Sequence, residues 1–116
     1  LFFTYANEKY FEFAVLYPFF ALISNPDAKV EIVLSSYNKF KQKYNHFINF
    51  YETNFYGKVI YRQVNKIFKR LKIKEGTIRF IEHPITKTKY VYIGDIDILI
   101  FENVLKNNLK NIEIKI

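Results

Sequence analysis

Asp95 and Asp97 stand one residue apart at the end of an apolar run, Tyr90-Val91-Tyr92-Ile93-Gly94, and Ile98-Leu99-Ile100-Phe101 follows them. An unpaired carboxylate buried in such surroundings is very costly, and a divalent cation compensates it directly. Oxygen ligands suit a hard ion, Mn2+ or Mg2+, which can hold a diphosphate at the same time. Gly94 lacks a Cβ and allows backbone or ligand to come close. The plain alternative is a solvated turn between two strands, its aspartates free or capping backbone N–H groups. His46 and His83 are the remaining candidate ligands, although a lone His more often has a structural role. The chain has no Cys, so neither a Cys-based zinc site nor a disulfide framework is available.

Phosphates also call for cations. Residues 58–74 hold seven of them (Lys58, Arg62, Lys66, Lys69, Arg70, Lys72, Lys74) and no acid. This segment reads either as a contact surface for phosphates or, more commonly, as the solvated face of an amphipathic helix. No P-loop, G-x-G-x-x-G or G-x-S-x-G motif occurs, and Phe and Tyr fall at core spacing rather than as stacking platforms. Nucleic acid is therefore not the expected partner.

The elements that must position these residues follow from periodicity. Residues 1–5 are apolar and read as a short buried strand. Asn7 offers a helix N-cap and Glu8 suits the first turn; Phe11, Ala14, Val15, Pro18, Phe19, Leu22 and Ile23 then recur at helical spacing, with a kink expected at Pro18. Ser24-Asn25-Pro26-Asp27 is a stop. Residues 29–34 read as a second strand, and Ser35 and Ser36 cap a short basic helix to about Tyr44. A third strand is expected over 46–51, an amphipathic helix over 59–71, a short strand over 77–81 and another over 90–93. A helix over 102–108 and a strand over 112–116 complete the reading. Strands alternating with helices imply an α/β fold, Rossmann-like, with a mostly parallel sheet and flanking helices. Ligands of such sheets bind at the carboxyl ends of the strands. Two loops are expected there, one at Thr4, Tyr5, Ala6 and Asn7, the other carrying Asp95 and Asp97.

The stretch Tyr90-Val91-Tyr92-Ile93-Gly94-Asp95-Ile96-Asp97-Ile98-Leu99-Ile100 resembles the D-x-D segment of GT-A-fold glycosyltransferases, most of all the glycogenin-like and bacterial lipopolysaccharide galactosyltransferase group. Tyr61-Arg62 resembles the Tyr/Arg pair on the helix that precedes that segment. The resemblance implies a metal-dependent transferase with Mn2+ or Mg2+ as cofactor, a UDP-sugar as donor and a glycan or lipid-linked molecule as acceptor. By position it implies that Asp97 coordinates the metal and that Asp95 touches metal, ribose or donor sugar. It also implies that Thr4, Tyr5, Ala6 and Asn7 cradle the base and ribose, and that Arg62 lies near the donor phosphates or sugar. Only 19 residues follow Asp97, so the expectation is a single nucleotide-sugar-binding domain over 1–116, the donor half of a larger domain or a reduced version of one. Its truncated sheet would leave an open edge prone to self-association.

Composition bounds these readings. The 116 residues suffice for one domain, and 50% hydrophobic content with 13 Phe and 10 Tyr argues against disorder. The longest apolar run is broken by Pro18 and falls short of the ~20 residues a membrane span needs. The expected location is the cytoplasm, with contact at the inner face of the membrane as an option. A formal charge of +7 favours anionic partners, and the alternative function is a non-catalytic basic interaction domain. A third reading, a different metal-dependent phosphoryl or nucleic-acid enzyme using the same two aspartates, needs further carboxylates, for which Glu82 and Glu102 are the candidates near in sequence.

Overall fold

The computed structural model describes residues 1–104. Its first strand, β1 (Phe2–Ala6), is apolar almost throughout and is followed by a short 3-10 turn (Glu8–Tyr10) and helix α1 (Phe11–Ser24). β2 (Val30–Leu34) is buried at every position, as expected of a central strand covered on both faces. α2 (Tyr37–Asn54) begins at Ser36, whose hydroxyl accepts from the Lys39 N–H at 3.3 Å. β3 (Val59–Gln63), two short helices α3 (Ile67–Arg70) and α4 (Glu75–Ile81), and the two-residue strand β4 (Tyr92–Ile93) complete the chain as described.

The sheet order is β3-β2-β1-β4, and every pairing is parallel. The expected α/β, Rossmann-like arrangement is therefore present. Phe2, Ala6, Val30, Ile32, Leu34, Val59 and Tyr61 face α1 and α2 in the main core, where Phe40 meets Phe11 edge-to-face and Tyr61 at a tilt, at centroid distances of 5.3 and 4.8 Å. Alternate residues point to the other face, and Glu31 there receives the segment that joins β3 to β4. The chain moves outward from β1 through β2 to β3, then crosses back to place β4 on the far side of β1. The β1/β4 boundary is thus the switch point of the sheet.

Three expectations of the sequence reading are corrected. Residues 59–71 are not one amphipathic helix. Their first part is the edge strand β3, because Val59, Ile60 and Tyr61 are strand formers and a full ladder with β2 is available. Residues 46–51 are the second half of α2 rather than a strand: Phe40, Tyr44, Phe47, Ile48 and Tyr51 form one helical stripe toward the core, through non-helical backbone at Tyr44. Residues 77–81 belong to α4. α1 runs as a single helix with Pro18 inside it. The expected helix over 102–108 lies mostly outside the described residues, and the strand over 112–116 wholly so.

Candidate functional site at the carboxyl edge of the sheet

Because β1 and β4 are parallel, with Phe3 opposite Ile93, Asn7 and the acidic turn leave the same edge of the sheet. The contact between them is tight. Thr4 Oγ1 donates to the Gly94 carbonyl at 2.7 Å, and the Gly94 N–H reaches the Phe3 carbonyl at 3.3 Å. A Cβ on Gly94 would lie 2.8 Å from the Tyr92 ring, so a larger residue here would have to displace that side chain.

Asp95 and Asp97 do not sit in an apolar environment. Ile96, between them, is buried in the main core and anchors the turn, while the flanking aspartates face outward. Asp97 is exposed, and the Asp95 side chain keeps 44% of its accessible surface. The expected need for a cation to offset carboxylate burial is therefore not met. Asp95 already has a counter-charge in Arg79, whose Nη1 lies 2.6 Å from Oδ1.

The four residues expected to cradle a nucleoside divide. Thr4 and Ala6 are fully buried strand positions and present no surface. Tyr5 and Asn7 line an open cavity of about 810 Å3, together with Ser35 and Ser36 beyond β2 and with Lys39, Lys66 and Lys72. Lys39 is paired with Glu8 at 2.7 Å, whereas the ammonium groups of Lys66 and Lys72 make no ion pair among the described residues. Glu75 of α4 accepts a hydrogen bond from Asn7 Nδ2. Burial, and then the Glu75 carboxylate, push the Tyr5 hydroxyl up to about 12. Asp95 and Asp97 do not line this cavity.

Arg62 has another occupation. On β3 it points to the second face of the sheet, with Nε donating to Glu31 Oε2 at 2.9 Å and Nη2 to the His83 carbonyl at 2.7 Å. Glu82 completes the cluster at 3.4 Å. The role near donor phosphates expected for Arg62 is corrected, since its donors are spent on the fold. Tyr61, its neighbour, is a core residue whose hydroxyl donates to the Ala14 carbonyl at 2.7 Å. The basic segment 58–74 is likewise not one helical face. Lys58 bonds the Pro26 carbonyl, Arg62 pairs with Glu31, and Lys66 and Lys72 line the cavity.

Glu31, Glu75 and Arg79 escaped the sequence reading. A lone charge inside the run Val30-Glu31-Ile32-Val33-Leu34 was the signal for Glu31. Nothing local marks Glu75 or Arg79, whose partners lie in distant segments.

No group of three or more His, Asp or Glu side chains disposed to hold a metal occurs among the described residues, and neither His46 nor His83 joins the acidic turn in one. Two carboxylates alone fit Mg2+ or Mn2+ in one manner: one or both bind the ion, and phosphate oxygens and water complete its shell. The fold and this edge define a parallel α/β protein with a lysine-lined cavity on one side of its switch point and an acidic turn on the other. Comparison with protein-family models, with curated proteins and with solved structures gives no match to the chain.

Proposed function

We propose that the carboxyl edge binds the nucleoside diphosphate part of a sugar nucleotide together with Mn2+ or Mg2+, in the service of glycosyl transfer. The observation that carries this reading is the parallel pairing of β4 with β1, which sends the acidic turn and Asn7 out of one sheet edge at the switch point. Tyr5 and Asn7 are the side chains available to a base or ribose. Lys9, Lys66 and Lys72 are cations available to phosphates, and Asp97 is the open carboxylate for the metal, with Asp95 beside it. When bound, the metal would act as a Lewis acid that neutralises charge on the departing diphosphate. The chain's own residues bind and orient the nucleotide.

The test is calorimetric titration of UDP into the protein with and without Mn2+, for wild type and for Asp97→Ala. Because two carboxylates make an incomplete shell, Mn2+ and UDP are expected to bind cooperatively, with that coupling lost in Asp97→Ala. UDP binding that ignores both Mn2+ and the substitution would sink the metal-dependent reading. An absence of UDP binding would sink the nucleotide reading altogether.

A further inference from the structure

Helix α1 is apolar on both of its sides. Ala14, Val15, Tyr17, Pro18, Ala21 and Leu22 are buried on one of them. The other carries Phe13, Leu16, Phe20 and Ile23. Phe20 is half-buried, but Leu16 and Ile23 are 48% and 56% exposed. These four recur at intervals of three, four and three residues, which is the a/d spacing of a coiled-coil seam. Phe101 extends the stripe sideways through its ring contact with Phe20, at a centroid distance of 5.0 Å. No charged residue occurs from 13 to 26 in a chain of net charge +7. A helix that is apolar all round belongs in an interior, so the outer side of α1 is built to be covered.

We infer that α1 is a dimerisation helix and that a second copy of this chain covers it, packed antiparallel about a two-fold axis beside Pro18. The stripe is complementary to itself in that arrangement, as an isologous contact requires. Phe13 falls opposite Ile23 of the second copy and Leu16 opposite its Phe20, so each aromatic ring meets an aliphatic side chain. Without charges between 13 and 26, the two stripes approach without repulsion, whereas a phosphate-bearing surface finds no cation to hold there. The area is sufficient: Phe13, Leu16, Phe20, Ile23 and Phe101 leave about 500 Å2 open on each copy, and the pair would bury about 1,000 Å2, where specific interfaces begin. The dimer also respects the cavity edge. α1 joins the parallel strands β1 and β2 and runs back against them, so an antiparallel pair of α1 helices points the two carboxyl edges in opposite directions and leaves both open.

The chain has no Cys, so introduced cysteines report position cleanly. An equimolar mixture of Phe13→Cys and Ile23→Cys, treated with a short bismaleimide, should give several times more crosslinked dimer than either variant alone. Sedimentation equilibrium supplies the second readout, in a Val91→Lys background that sets a charge beside the exposed flank of β4. There, Leu16→Glu should raise the dimer Kd about tenfold or more, because the seam would bury an unpaired carboxylate. Leu16 is half exposed in the single copy, so circular dichroism and Tm should not change. Ile23→Lys, at the end of the stripe, should act in the same direction. Equal crosslinking within and between the two cysteine variants would refute the antiparallel seam. A dimer in the Val91→Lys background that ignores both Leu16→Glu and Ile23→Lys would place the contact elsewhere. A monomer throughout would give the stripe to another partner and overturn the inference.

Discussion

At Glu31 a carboxylate with no solvent access is held by Arg62 Nε at 2.9 Å and by the N–H groups of Ile85 and Thr86 at 3.1 and 2.9 Å. Burial disfavours its charge, but hydrogen bonds from Thr86, Arg62 and Ile85 outweigh that and hold its pKa below the ordinary value. The sign follows from linkage. Its stabilising contribution is full above the unfolded-state value of about 4.3 and is lost as pH falls through the lower folded value. In acid titrations followed by circular dichroism, Glu31→Gln should therefore show a flatter decline of stability below about pH 4.3 than wild type. Removing the partner is harsher. Arg62→Ala leaves a buried carboxylate without its guanidinium and should cost about 3 kcal/mol in urea denaturation. A cost under 1 kcal/mol would mean that the backbone donors alone satisfy Glu31. Loss of ligand binding in Arg62→Ala would therefore report on the fold.

Among the elements, α1 shows how one residue ties the site to the scaffold. Asn25, just past its end, is buried; Nδ2 donates to the carbonyls of Ala21 at 3.0 Å and Glu102 at 2.8 Å, and Oδ1 accepts from the Val104 N–H at 2.8 Å. The segment after the acidic turn is thus clamped to the helix that follows β1. Asn25→Ala removes all three bonds and leaves buried backbone groups unsatisfied, so a loss of about 2 kcal/mol is expected, with faster amide exchange at Val104. Slow exchange there in the variant would refute the clamp. The sequence made Ser24-Asn25-Pro26-Asp27 legible as a stop, because turn chemistry is local, and β1, α1, β2 and the turn at Asp95 were legible for the same reason. What failed was long-range. Ile60, Val64, Ile67, Phe68 and Leu71 mimic a helical stripe, yet Val59 and Tyr61 go to one face of the sheet and Arg62 to the other. The ladder offered by β2 decided the matter, and no periodicity within 59–71 reports it. At the site, Asp95 and Asn7 were placed correctly at one edge. Arg79 was missed because α4 was read as a strand, and the burial of Thr4 and Ala6 follows from β1 continuing through both.

For the whole molecule, the sheet has two edges of different character. β3 carries a full ladder to β2, whereas β4 pairs at only two positions and, among the described residues, has a strand on one side only. Val91, Tyr92, Ile93, Ile98 and Phe101 are all exposed around that edge, with Phe101 at 70%. An apolar strand edge of this kind is a template for another strand. Concentration-dependent association is expected in sedimentation velocity, and Val91→Lys should weaken it by placing a charge beside the edge. A monomer at all concentrations would rule the edge out as a self-association surface. No helix among the described residues is long and apolar enough to cross a membrane.

The hydrogen bond from Thr4 to Gly94 spans 90 residues of chain, and this separation governs when the edge can form. β1, α1, β2, α2 and β3 are contiguous and close their ladders over shorter loops, whereas β4 must return across the entire β3–β4 excursion to reach β1. Loop-closure entropy makes such contacts late and slow. The acidic turn is then assembled last, and a chain emerging from the ribosome carries an unpaired flank on β1 until synthesis has passed Ile93. Substitutions near Gly94 should therefore slow the final closure of the sheet as well as weaken it once folded.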